Sequence, residues 1–153
     1  MPGSVPPAYR GATPYLCCRH AAEAIQFYAK AFGAREEYRL ADQAGKIGHA
    51  EIRIGEAVIM LSEEFPELGV RSPLALGGTP VTLHVYVEDV DALAARAVAA
   101  GAKILRPTSD QFYGDRLVKL EDPFGHVWIF ASHMEDVSEA EIRERAAKLF
   151  RHS

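Results

Sequence analysis

Three things are scarce in this sequence, and each absence excludes something. There are only two cysteines, Cys17 and Cys18, and they are adjacent. Neighbouring residues on a strand point to opposite faces, so no structural disulfide is expected between them. The C-x-x-C spacing of redox pairs is missing, and a reducing, cytoplasmic setting is the expectation. Long apolar runs are absent too: nothing approaches the ~20 residues of a membrane span. Met1 to Pro14 is rich in Pro and Gly without an apolar centre, so it is not read as a signal peptide. Basic clusters are the third absence. With a net charge of −4 and no run of Lys and Arg, the chain lacks the cationic face that nucleic acid requires. No Gly-rich phosphate loop, serine elbow or zinc-protease motif is present either.

What remains is an ordinary globular composition, 48% hydrophobic and 25% charged over 153 residues. A chain of this size buries roughly 70% of its unfolded surface, enough for one core without staples. We read residues 1–153 as a single domain with an internal repeat.

The repeat appears as the elements are taken in order. Tyr15 to Arg19 is a short strand candidate. Ala24, Ile25, Phe27, Tyr28, Ala31 and Phe32 recur at helical spacing over Ala21 to Phe32, and Gly33 closes that helix. Arg35 to Leu40, His49 to Ile54 and Ala57 to Ser62 read as three strands. Residues 65–80 carry three prolines and three glycines with little pattern and read as a linker. The scheme then restarts: strand Val81 to Val87, an Ala-rich helix Val90 to Ala100 opened by Asp89 or Asp91 and closed by Gly101, and strands Lys103 to Arg106, Leu117 to Leu120 and Val127 to Ala131. Tyr15 to Cys18 meets His84 to Val87 at an offset of 69, and Ala57 to Leu61 meets His126 to Phe130 at the same offset. The order β-α-β-β-β occurs twice.

The implied fold is α+β: two βαβββ modules whose curved mixed sheets surround a concave cup. Module one spans about 13–64, the linker 65–80 and module two about 81–133. Ser138 and Glu141 form a capping box for a C-terminal helix over 138–150. Ile142, Ala146, Leu149 and Phe150 share one face of it, which docks on its own chain or on a partner subunit. The turn Asp122-Pro123-Phe124-Gly125 sets the register of the last strand.

Several stretches carry a family resemblance. Ala24-Ile25-Gln26-Phe27-Tyr28 with Ala31-Phe32-Gly33-Ala34 resembles the first-helix signature of the vicinal oxygen chelate superfamily, which includes glyoxalase I, bleomycin-resistance proteins and extradiol dioxygenases. Gly114-Asp115-Arg116, Asp122 to His126 with Trp128, and His133 with Glu135 to Ser138 resemble its PhnB-like branch. The resemblance spans Thr13 to Phe150 and implies paired βαβββ modules in a homodimer. In metal-dependent members it places one ligand on the first and fourth strand of each half. Those positions fall here on Thr13, Met60, Thr82 and Ile129. Neutral hydroxyls, a thioether and a hydrocarbon are poor partners for a hard divalent ion, so no metal or other cofactor is expected.

The expectation is therefore a metal-free binding protein that takes an apolar or aromatic small molecule, with no nucleic-acid or membrane partner. The alternative is a glyoxalase- or dioxygenase-like enzyme that uses a displaced metal site or His84 as acid–base. Alternation puts Val58, Met60 and Ser62 on the cup face, with Thr82, His84, Tyr86 and Ile129. Leu83, Val85, Trp128 and Phe130 lie behind them. His49, Glu51 and Arg53 share one strand face. They orient a polar ligand group or are solvated surface residues; a further alternative is a different metal site made by His49 and Glu51 with His84. Asp115 and Arg116 read most simply as a local ion pair or as ordering the loop after Tyr113, and His126 as a finish to the hairpin.

Overall fold

A computed structural model describes residues 2–151. Its strands are β1 Tyr15–Cys17, β2 Arg35–Ala41, β3 Ile47–Ile54, β4 Ala57–Ser62, β5 Thr82–Tyr86, β6 Lys103–Asp110, β7 Asp115–Glu121 and β8 Val127–His133. The helices are α1 Ala21–Phe32, α2 Pro73–Leu76, α3 Val90–Ala100 and α4 Glu139–Phe150. Two four-stranded sheets result, ordered β1-β4-β3-β2 and β5-β8-β7-β6. In each, the first strand runs parallel to the fourth and the other pairs are antiparallel. The α+β architecture with two βαβββ units and a C-terminal helix is the one the sequence implies.

One core serves both units, because α1 and α3 pack on each other as well as on the sheets. Leu61, Ile59, Ile52 and Ala50 reach it from the first sheet, and Trp128, Phe130, Leu120 and Val118 from the second. Phe32 of α1 meets Trp128 and Phe130 with ring centroids 5.0 and 4.6 Å away. Helix ends are marked as the sequence suggests. Gly33 sits at φ +69° with its N–H on the Tyr28 carbonyl, a left-handed conformation that glycine adopts without steric cost. Asp89, rather than Asp91, caps α3 through the Ala92 N–H. The start of α1 is capped from a distance, the Glu63 carboxylate accepting from His20 and Ala21 N–H at 2.8 Å each.

The turn after β7 ties the units together. Asp122 is 3% exposed and accepts four hydrogen bonds. Tyr28 Oη of α1 donates at 2.6 Å, Trp128 Nε1 at 2.9 Å, and the Phe124 and His126 amides at 2.8 and 3.0 Å. These donors satisfy a buried carboxylate without a cation. His126 does more than finish its hairpin. Its Nε2–H lies 2.8 Å from the Cys17 carbonyl of β1, so it bonds one unit to the other.

Three local readings need correction. Residues 65–80 contain a 3-10 turn, Pro66–Leu68, and the one-turn helix α2, each started by proline and closed by glycine at positive φ. Strand β6 continues through Pro107 to Asp110. It is an edge strand, where a missing N–H breaks no ladder. Helix α4 buries no residue. Its Ser138 cap receives the Glu141 N–H at 3.2 Å, but the Glu141 carboxylate turns to Arg145 at 2.8 Å and the capping box stays half-made. Arg145 tethers the helix through the Phe112 carbonyl and Glu135, both at 2.9 Å, while Leu149 on the apolar face is 52% exposed.

Candidate functional site

Each sheet has one face on the helices and one free of them, and strand pairing lines up a row of residues across the free face. In the first sheet Tyr38 pairs with Glu51, Glu51 with Met60, and Met60 with Tyr15. In the second Arg106 pairs with Lys119, Lys119 with Ile129, and Ile129 with His84. The two rows are equivalent under the repeat, at offsets of 68 or 69. Burial follows the alternation: Ile59 and Leu61 are buried while Val58 and Met60 are half-buried, and Trp128 and Phe130 are buried while Ile129 is not. Thr82, His84 and Tyr86 are exposed, and Leu83 and Val85 pack on the core.

The first row is built around an acid. Glu51 is 4% exposed. Its Oε1 accepts from Tyr9 Oη of the N-terminal segment. Its Oε2 accepts from Tyr38 Oη at 2.5 Å and lies 2.9 Å from His49 Nε2. The other ring nitrogen, His49 Nδ1, is 2.7 Å from Tyr15 Oη. Burial opposes the Glu51 charge, but hydrogen bonds from His49, Tyr38 and Tyr9 outweigh it and hold the carboxyl below its ordinary value. The same contact pushes the Tyr38 phenol up to about 12, the hydrogen bond to Glu51 being the main cause.

The second row is basic. Lys119 and Arg106 make no ion pair among the described residues, and His84 makes no hydrogen bond there, its ring lying 5.1 Å from that of Tyr86. The acid of this sheet sits further along β7. Asp115, 4% exposed, accepts from Tyr86 Oη at 2.5 Å and lies 2.8 Å from His133 Nδ1. His133 Nε2 is 2.8 Å from Asp136. Burial opposes the Asp115 charge, and the bonds from Tyr86 and His133 hold its carboxyl below the usual value. His133 is raised by its bonds to Asp115 and Asp136. The loop carrying Asp136 is fixed from Gly114, whose carbonyl accepts the Met134 and Glu135 amides at 2.9 and 3.1 Å.

Asp115 and Arg116 are not an ion pair. They point to opposite faces, and Arg116 reaches Asp91 at 2.9 Å and Asp110 at 3.1 Å. Thr13 and His84 line one small cleft with Arg10 and Val58, about 320 Å³ in volume. A cleft of about 700 Å³ lies between the β3–β4 turn and α3, lined by Phe32, Ile54, Leu93 and Arg96 together with Tyr86 and His133, the two side chains bonded to Asp115.

The doubled βαβββ order and the paired rows call for comparison with known proteins. Residues 12–130 match the Glyoxalase/Bleomycin resistance protein/Dioxygenase superfamily. The chain belongs to that superfamily. An uncharacterized protein of Mycobacterium bovis is 43% identical over 134 residues, covering 86% of this chain and 88% of the relative. Among solved structures, TioX from Micromonospora sp. ML1 is 28% identical with a TM-score of 0.63, covering 81% of this chain and 100% of that one. The fosfomycin resistance protein FosX from Listeria monocytogenes, complexed with Mn(II) and 1S,2S-dihydroxypropylphosphonic acid, has a TM-score of 0.62. At 17% identity, covering 88% of this chain and 97% of FosX, it shares the fold alone.

A superfamily metal can be tested against the residues present. Thr13, Met60, Thr82 and Ile129 offer no carboxylate and no imidazole. The carboxylate next to Met60 is Glu51, whose oxygens already accept from three donors. Beside Ile129 stands Lys119, a cation that repels another. Among the described residues no three or more His, Cys, Asp or Glu side chains are grouped to hold a metal ion, so His49, Glu51 and His84 do not form one. The donor set does not fit the metal.

Sequence reading singled out His49 and Glu51 and named Asp115 and His133 without pairing them, but missed Tyr9 and Tyr38. A register shift between Glu36 and Tyr38 breaks the alternation that would have placed Tyr38 beside Glu51. Tyr9 lies in the leader, outside any periodic pattern. For Asp115 the signal existed, since period two sends adjacent strand residues to opposite faces.

Proposed function

We propose that the chain is a metal-independent small-molecule binding protein of the glyoxalase/bleomycin-resistance type, taking an aromatic or otherwise apolar ligand on the helix-free faces. The PhnB-like branch, a homodimer and a cytoplasmic setting belong to the same reading. One observation carries it: the fourth-strand positions hold Met60 and Ile129, each flanked by ring-bearing side chains, Tyr15 beside Met60 and His84 beside Ile129. Tyr15 and Tyr86 are 53% and 60% exposed, and aromatic surface next to a few placed polar groups is what small-molecule sites are made of. Native mass spectrometry of freshly purified protein, with metal analysis and a panel of aromatic metabolites and antibiotics, tests the proposal. The expected result is ligand binding unaffected by chelator. Stoichiometric divalent metal, or no binding across the panel, overturns it.

An acid–base enzyme is the second reading, and a specific arrangement favours His49 over His84 in that role. Glu51, His49 and Tyr15 form a carboxylate–imidazole–phenol chain. Such a chain fixes the ring tautomer and gives the exposed phenol a base for its proton. Among the described residues no hydrogen bond fixes the tautomer of His84. Turnover lost on His49→Ala and kept on His84→Ala is the expected signature.

A further inference from the structure

The N-terminal segment is held in an unusual way. Residues 7–9 form a 3-10 turn that buries nothing, and Val5 is 58% exposed. Among the described residues, one hydrogen bond ties residues 2–13 to the rest of the chain, and it runs from Tyr9 Oη to Glu51 Oε1. That bond seats Tyr9 on a cluster of rings around Glu51. The cluster has a nearly buried carboxylate at its base. The Tyr38 and His49 rings stand beside it with centroids 5.7 Å apart, and Tyr15 lies 5.4 Å from His49. The Tyr38 hydroxyl and His49 Nε2 use Oε2. The oxygen left, Oε1, is taken by the Tyr9 phenol.

We propose that the Glu51 pocket is a binding subsite for hydroxyaromatic ligands, and that Tyr9 is its intramolecular occupant. A phenolic ligand donates its O–H to Glu51 Oε1, lays its ring among Tyr15, Tyr38 and His49 beside Met60, and displaces the leader. The inference rests on the reading of the chain as an aromatic-ligand binder and names the group that is recognised. It also implies that the leader lowers apparent affinity, because only molecules with Tyr9 released are competent. The acceptor makes the pocket selective. A ring without a hydroxyl leaves a desolvated carboxylate oxygen unpaired, which costs more than the ring's contacts return.

The test uses full-length wild type and Tyr9→Phe, with p-cresol and toluene as matched probes and benzyltrimethylammonium as a third, read by calorimetry or saturation-transfer NMR. Phenylalanine keeps the ring but cannot donate, so p-cresol should bind Tyr9→Phe about tenfold or more tightly than wild type, the conformational tax being removed. Toluene, which leaves Glu51 Oε1 unpaired, should bind neither protein measurably. Adding Glu51→Gln to Tyr9→Phe should cancel most of the p-cresol gain, and circular dichroism verifies that the double variant is folded. If it is not, the Tyr9→Phe difference between p-cresol and toluene decides alone. Equal p-cresol affinity in wild type and Tyr9→Phe overturns the proposal. So does toluene binding to Tyr9→Phe as tightly as p-cresol, which would make the leader a cover over apolar surface, and so does preference for benzyltrimethylammonium, which would make the pocket a cation cage. Toluene binding without p-cresol preference leaves the aromatic-binder reading standing and removes only this subsite. Absence of binding by all three probes to both proteins overturns the subsite.

Discussion

The two halves share a backbone plan and differ in what they place along the same line. Across the helix-free face of the first sheet run Tyr38, Glu51, Met60 and Tyr15; across the second run Arg106, Lys119, Ile129 and His84. One row is aromatic and acidic, the other basic. Each half also buries a carboxylate bonded to a tyrosine and a histidine, but Glu51 sits in the middle of its strand and Asp115 at the start of its own. A duplicated frame therefore gives two unlike walls. The fold constrains only alternate residues, those facing the helices; the free faces diverge because no packing holds them.

The comparison breaks first where the halves are joined. Asp122→Ala removes the acceptor shared by Tyr28, Trp128 and two amides. Stranding several buried donors should cost roughly 3 kcal/mol or more, a fall in Tm of about 6–12 °C for a domain this size, read by calorimetry. Unchanged stability would mean that the halves do not depend on this turn.

A matched pair of substitutions sharpens the contrast between the rows. Glu51→Leu leaves Tyr9, Tyr38 and His49 without their acceptor and should lower Tm clearly. Lys119→Leu, at the equivalent position, loses no ion pair and should stay within about 0.5 kcal/mol. Equal effects in denaturant melts would erase the distinction between a built site and a solvated face.

The smallest effect separates the two carboxylate networks by pH. The Glu51 and Asp115 carboxyls are depressed, so their contribution is present above the ordinary carboxylate range and lost as pH falls through the folded values. His133 is raised from 6.5, so its contribution is complete below about 6.5 and lost as pH rises through the folded value. Glu51→Gln should flatten only the acid limb of the stability profile, whereas His133→Phe should remove a limb that begins above about pH 6.5. NMR titration of the His133 ring checks the same point directly.

The sequence by itself determined the doubled element order, the helix ends at Gly33 and Gly101, and the faces of β4, β5 and β8. These are local matters: apolar spacing, glycine at positive φ and period two act over a few residues. Tertiary structure decided the rest. Only strand pairing put Tyr38 and Tyr15 on either side of Glu51 and Met60, because the bulge in β2 hides the register. Only the folded chain brought Tyr9 across 42 residues to Glu51, sent Asp115 and Arg116 to different partners, and left α4 with nothing buried. Contacts between residues far apart in sequence follow from how sheets meet, and no local periodicity records that.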